Sequence, residues 1–201
     1  MKSMIAALLF VLLALPLASC GDEGDKAPPP AQELTQDSIG YYCNMVVTEH
    51  MGPKGQIHLE NGTPALWFSS VRDAIAFTML PEENKNIAAI YVNDMAVADW
   101  DSPQAGSWIE ARDAWYVVGS SKPGGMGAPE AAPFSKEQAA RDFAAAHGGE
   151  VMAFAAIPES FVLGAVETPE RKMTHMDSMN SMDSVDSVDS VDSEAAHEHE
   201  N

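Results

Sequence analysis

The chain reads as an α+β protein of two small ββαβ-like units packed together, set between a disordered N-terminal tether and a disordered C-terminal tail. Three observations point there. Once an apolar leader and two polar ends are set aside, about one domain's worth of sequence remains. Within it, short runs rich in aromatic and β-branched residues, closed by turn residues, alternate with two runs of helical period. The two helical runs also open alike, with Phe68 and Ser69 before Phe77, and Phe134 and Ser135 before Phe143. Each half alone is near the size at which a core becomes marginal, so the halves are expected to pack on one another, with a binding groove between them.

Residues 1–19 form a secretory leader: Lys2 precedes an apolar run from Met4 to Leu17 that is short for a membrane span. The run ends in Leu17, Ala18, Ser19, Cys20, which looks like a bacterial lipobox, so Cys20 is the expected lipidation site and mature N-terminus. Gly21 stands where an acidic residue would favour the inner membrane under enteric-type sorting. The anchor is therefore expected to face the periplasm, from the outer membrane rather than the inner. Residues 20–38, with Pro28 to Pro30 and no apolar period, read as a flexible tether.

The folded region is expected over residues 39–165, with subunits at about 39–100 and 108–165. Tyr41 to Val47 reads as a strand, Gly52 to Gly55 as a turn and Gln56 to Leu59 as the other hairpin arm, with Asn61 and Gly62 as the next turn. Ser69 or Ser70 can cap a helix whose stripe is Val71, Ala74, Ile75, Thr78 and Met79, and which Pro81 ends. Ile87 to Val92 is the next strand. In the second half Trp115 to Gly119 reads as a strand and Pro123 to Pro133 as a Gly/Pro-rich connection. Ser135 with Gln138 forms a capping box for a helix that stops at Gly148, and Glu150 to Ala155 is the last strand. Residues 166–201 carry Met173, His175, Met176, Met179 and Met182, then Asp-Ser-Val repeats, His197 and His199. They lack aromatic residues and read as disordered.

A net charge of −19 excludes a general affinity for nucleic acid and argues against a basic-patch mode of membrane binding. The two cysteines are more informative. If Cys20 carries lipid, Cys43 has no partner in the chain, and an unpaired thiol in an oxidising compartment is either buried or used. In an extended segment Cys43 and Met45 would point to the same side. A thiolate beside a thioether is a soft donor pair that favours copper(I); zinc prefers several thiolates or imidazoles, and calcium or magnesium oxygen. Because the thiolate is the binding form, affinity falls with acid. The third ligand is expected to be Met126, flanked by Gly125 and Gly127 in an exposed loop, with His50 the next candidate and Met51 beside it. His58 and His147 are read as structural.

At Tyr42, Cys43 and Met45, at Gly125-Met126-Gly127, at Pro133-Phe134-Ser135, in the alanine-rich helix and at His147-Gly148-Gly149, the sequence resembles the NosL family over roughly residues 42–157. The resemblance implies a lipoprotein that accompanies nitrous oxide reductase in denitrifying bacteria. It further implies copper(I) bound through the Cys-x-Met pair, here Cys43 and Met45, and passed by way of the periplasmic component of an ABC transporter to the reductase's copper centre. The implied fold is two ββαβ units, like part of organomercurial lyase.

Three other readings stand beside the copper(I) chaperone. One is copper storage or buffering through the Met- and His-bearing tail. Another is a lyase or thiol-transfer enzyme with Cys43 as nucleophile, which would want a second thiol and a nearby acid. The last is a lipoprotein in which Cys43 is a buried structural residue.

Overall fold

The computed structural model describes residues 27–165 apart from Gln104. The predicted leader, Cys20 and the tail donors from Met173 to His199 lie outside the described residues.

Strands β1 (Gly55–Leu59) and β2 (Leu66–Phe68) form an antiparallel hairpin about the Asn61-Gly62 turn, with Gly55 opposite Phe68. Helix α1 (Val71–Met79) follows, and the chain returns as β3 (Ile87–Asn93) on the other side of β1. The second half repeats this path. Strands β5 (Trp115–Pro123) and β6 (Pro129–Phe134) make a hairpin, α2 (Glu137–His147) follows, and β7 (Glu150–Ala153) returns antiparallel to β5. The sheet orders are β2-β1-β3 and β6-β5-β7, the first extended by β4 (Trp108–Glu110) beside β3. The chain is therefore α+β with two ββαβ units. The Phe-Ser pairs mark equivalent points: Phe68 meets Phe77 with ring centroids 5.8 Å apart, and Phe134 meets Phe143 at 5.1 Å.

Alternation along the second sheet explains how the units join. Tyr116, Val118 and Ala131 face one core with Ile57, Phe68, Ile75, Phe77 and Ile90 of the first unit. Val117, Ala132 and Phe134 face a second, smaller core under α2 with Ala140 and Phe143. Helix α1 is thus packed between the two sheets, and α2 lies on the outer face of the second. A short helix α3 (Glu159–Leu163) closes the far side of α1, with Val162 in the shared core.

Several sequence expectations are corrected. Tyr41 to Val47 is not a hairpin arm: the Gly40 N–H donates to Met45 O and the Asn44 N–H to Gly40 O, both at 2.8 Å, so the segment closes on itself around Asn44 at φ 54°. The capping box does not form. Helix α2 begins one residue later, with Lys136 at the N-cap, while the Ser135 N–H donates to Asp94 Oδ1 (3.1 Å) and Gln138 turns to Asp142. The long connection from Pro123 shrinks to residues 124–128, because Pro129 to Phe134 pair with β5. Trp108 to Glu110, not read as a strand from the sequence, form β4 and extend the first sheet beside β3. The C-terminal part of the tether is also bound to that sheet. Gln32 and Gln56 exchange amide hydrogen bonds, Tyr91 donates to Pro29 O, and Glu33 accepts from Gly106 N and the Trp108 indole. These are single long-range polar contacts, which composition cannot reveal.

Candidate metal centre

The loop that closes on itself at residues 40–45 presents Cys43 towards the start of α1. A Cβ at Gly40 would come within 2.4 Å of the Cys43 sulfur, so glycine leaves room for the thiol in this position. The Cys43 thiol lies 3.5 Å from the Ser69 hydroxyl, which in turn donates to Met126 Sδ at 3.9 Å. One hydroxyl on the residue before the helix N-cap therefore stands between a free thiol and a thioether that come from different ββαβ units. Cys43 and Met126 line the same open cleft of about 450 Å3, together with Tyr42, Arg72, Asp73 and the α3 end at Val162 to Gly164. Met126 is 54% exposed, on the turn between β5 and β6.

Met45 is also exposed, but it lies in the same tight loop rather than on a strand, so the extended-segment argument for the pair does not apply, and it is not among the residues lining the cleft. His50 lines a different cavity, of about 140 Å3, with Glu33, Thr48, Lys54, Asn93 and Trp108. Its Nδ1 is 3.4 Å from Gly125 O, so it braces the Met126 loop from behind. His58 is buried and bonded to Gln56, with its pKa lowered by burial, and His147 rests on the Phe143 ring. Among the described residues no three His, Cys, Asp or Glu side chains gather as a zinc or calcium site would need. The convergent donors are sulfurs.

The residues beneath these loops are ones that sequence reasoning missed. Glu130 on β6 is fully buried and sends Oε1 across to the first unit, where it accepts from Arg72 N (3.0 Å) and the Ser70 hydroxyl (3.3 Å), as well as from Ala131 N. A carboxylate from the second unit thus caps α1, engaging the hydroxyl of the N-cap Ser70, while the Ser69 hydroxyl contacts the sulfurs. Burial pushes the Glu130 carboxyl up to about 7, against the downward pull of those hydrogen bonds. Lys54, read as a turn residue, is buried too, and its ammonium donates to Met51 O and Gly52 O. Burial lowers its pKa to about 8, partly offset by the charge of Glu130. The Met126 turn packs closely on the same loop: a Cβ on Gly125 would come within 2.6 Å of His50 Cβ and Met51 O. One signal was legible, since Glu130 is the lone charge in the apolar run from Pro129 to Phe134.

Two exposed tyrosines stand side by side, and Tyr42 lines the cleft. Tyr41 and Tyr42 pack edge-on and both donate to Glu83, and the phenol of Tyr42 is held above its ordinary pKa by burial and by that carboxylate.

A protein-family model described as NosL matches residues 30–162. A copper-binding lipoprotein NosL of Achromobacter cycloclastes is 49% identical over 166 residues, covering 80% of this chain and 86% of that protein. One from Stutzerimonas stutzeri is 36% identical over 157 residues, covering 77% and 80%. The crystal structure of the copper chaperone NosL from Shewanella denitrificans matches with a TM-score of 0.62 at 34% identity, covering 66% of this chain and 99% of that one.

Proposed function

This chain belongs to the NosL family, and from that membership we propose that it is a lipid-anchored, periplasm-facing copper(I) carrier, with copper as cargo rather than as a resident cofactor. The observation that supports this reading best is the Ser69 hydroxyl held between Cys43 and Met126 in an open cleft. A copper(I) ion held by those sulfurs would take the place of the Ser69 hydroxyl as their shared partner. The thiolate balances the charge of the ion, and the neutral thioethers of Met126 and Met45 extend the shell. Few ligands, in part exposed, suit an ion that is handed on by stepwise exchange.

The relatives are named as lipoproteins, in keeping with Cys20 as the lipid attachment site. Delivery runs, on this proposal, to the periplasmic component of a copper-delivering ABC transporter and through it to the copper centre of nitrous oxide reductase. The exposed rim of Tyr41, Tyr42, Met45, Met126 and Leu163 leaves an acceptor room to approach. X-ray absorption of the copper(I)-loaded chain tests the ligand set. Replacing Met126 by Leu should remove one sulfur from the shell, and an unchanged sulfur count would reject Met126.

A further inference from the structure

The outer face of the first sheet is covered by the chain that leads into it. Alternation along β1 turns Ile57 into the shared core and Gln56 and His58 to the opposite face. On that outer face both side chains are nonetheless buried, Gln56 completely. The cover is residues 29–34. The Gln56 amide pairs with the backbone of Gln32 as a neighbouring strand would, accepting from Gln32 N at 2.8 Å and donating to Gln32 O at 2.9 Å, while its Oε1 also accepts from His58 Nε2. Tyr91, opposite Gln56 on β3, donates to Pro29 O at 2.7 Å, and Glu33 accepts from Gly106 N and the Trp108 indole. A buried amide is costly unless its polar atoms are partnered, and here this strap partners them.

The strap reaches both sulfur-bearing loops. Just beyond it the buried Ser38 accepts from Val47 N at 2.9 Å, and Ile39 bridges Val46, so the chain closes the base of the 40–45 loop that carries Cys43. Within it, Glu33 and Leu34 wall the cavity of about 140 Å3 together with His50 and Lys54. His50 Nδ1 donates to Gly125 O at 3.4 Å, beside Met126, and the Lys54 ammonium holds the Met51 and Gly52 carbonyls. The Met126 turn packs on that same loop, where a Cβ on Gly52 would lie 3.5 Å from Gly124 Cα. Cys43 and Met126 belong to different units, so their separation depends on what fixes each loop from behind, and the strap supports both.

We propose that residues 29–38 are a positioning element of the copper(I) centre: bound to the outer face of the first sheet, they hold the Cys43 loop and, through His50, the Met126 turn at the separation one ion needs. The inference rests on the copper(I) reading above and goes beyond it, since it gives a role at the site to a segment that supplies no ligand. Linkage makes the effect reciprocal: a strap that favours copper(I) is itself held more firmly when the ion is bound.

Amide hydrogen exchange of the reduced full chain, with and without one equivalent of copper(I), tests this on the wild-type protein. The Gln32 and Gly106 amides should exchange about fivefold more slowly in the loaded form, while those in the last turn of α2 are unchanged. A Glu33→Ala, Tyr91→Phe double variant removes strap hydrogen bonds without touching a sulfur. It should hold the ion about fivefold more weakly against a cuprous chelator, with β1 and β5 amides as protected as in wild type. Strap amides that exchange alike in both forms would overturn the inference, and so would slowing shared equally by α2, which reports overall stabilisation. A variant with a freed strap that binds copper(I) as firmly as wild type would overturn it too. If the variant loses protection in β1 and β5, the wild-type comparison decides alone. A wild-type chain that keeps its copper(I) with no response of the strap defeats this inference only; one that retains no equivalent defeats the copper(I) reading with it.

Discussion

The two ββαβ units share a topology and differ in what their helices touch. Helix α1 is covered on both sides, by its own sheet and by the second sheet with α3, and buries Val71, Arg72, Ala74, Ile75, Ala76 and Phe77. Helix α2 covers one face of the second sheet and buries only Ala140, with Gln138, Arg141 and Asp142 turned to solvent. Each helix start receives a carboxylate from the other unit, Glu130 at α1 and Asp94 at Ser135. At α1 the accepting carboxylate is buried, and the serine before the N-cap stands at Cys43 and Met126. At the equivalent Ser135 the backbone N–H bonds Asp94, and no hydrogen bond to a sulfur is found among the described residues. Duplication supplies a frame, and the candidate site grows only at the helix start enclosed between the units.

The largest effect expected from this contrast is on stability. Phe77→Ala should cost about 3–5 kcal/mol, because the ring is enclosed by Phe68 and Tyr41. Phe143→Ala should cost only about 1–2 kcal/mol, because its ring is half-buried between Trp100 and Phe134. Chemical denaturation of the two variants checks the order, and equal losses would break the comparison.

Glu130→Gln probes the cap between the units. A carboxyl raised to about 7 in the folded state stabilises the fold fully at pH below its unfolded value near 4.5, and that contribution is lost as pH rises through 7. The amide has no such dependence. Relative to wild type, the Gln variant should gain on the order of 3 kcal/mol between pH 4.5 and pH 8. A stability difference that stays constant with pH would show that burial does not raise the Glu130 carboxyl above its unfolded value.

The smallest effect compares the two hairpin turns. At Gly62, with φ 72°, an added Cβ would meet nothing within 4 Å, whereas Gly125 packs on His50 and Met51. Gly62→Ala should cost about 1 kcal/mol from backbone strain alone. Gly125→Ala should cost about 1–3 kcal/mol and also weaken copper(I) binding by displacing Met126, so a pure stability effect would detach that turn from the site.

Much of the frame was legible in the sequence because it rests on local signals. Hydrophobic period placed the first helix, while the second was placed by a start signal at Ser135, one residue early, and a stop at Gly148; Pro81 and Gly148 lie just past the two ends, and the repeated Phe-Ser pairs fall at equivalent points of the two units. The segment from Tyr41 to Val47 was misread because aromatic and β-branched content suits a strand, while a pair of backbone hydrogen bonds about Gly40 decides its shape. Cys43 and Met126 were picked out by chemistry. Their meeting through Ser69 depends on the packing of one unit on the other, and no spacing in the chain encodes it. Glu130 and Lys54 were missed for the same reason, since their importance comes from burial at that junction.

The most direct test of the account is a copper(I) competition titration of the reduced full chain and its Cys43→Ser variant against a cuprous chelator. The wild-type chain should retain one equivalent, and the variant should yield it to the chelator. A variant that keeps a full equivalent as firmly as wild type would contradict a site built on the Cys43 thiolate.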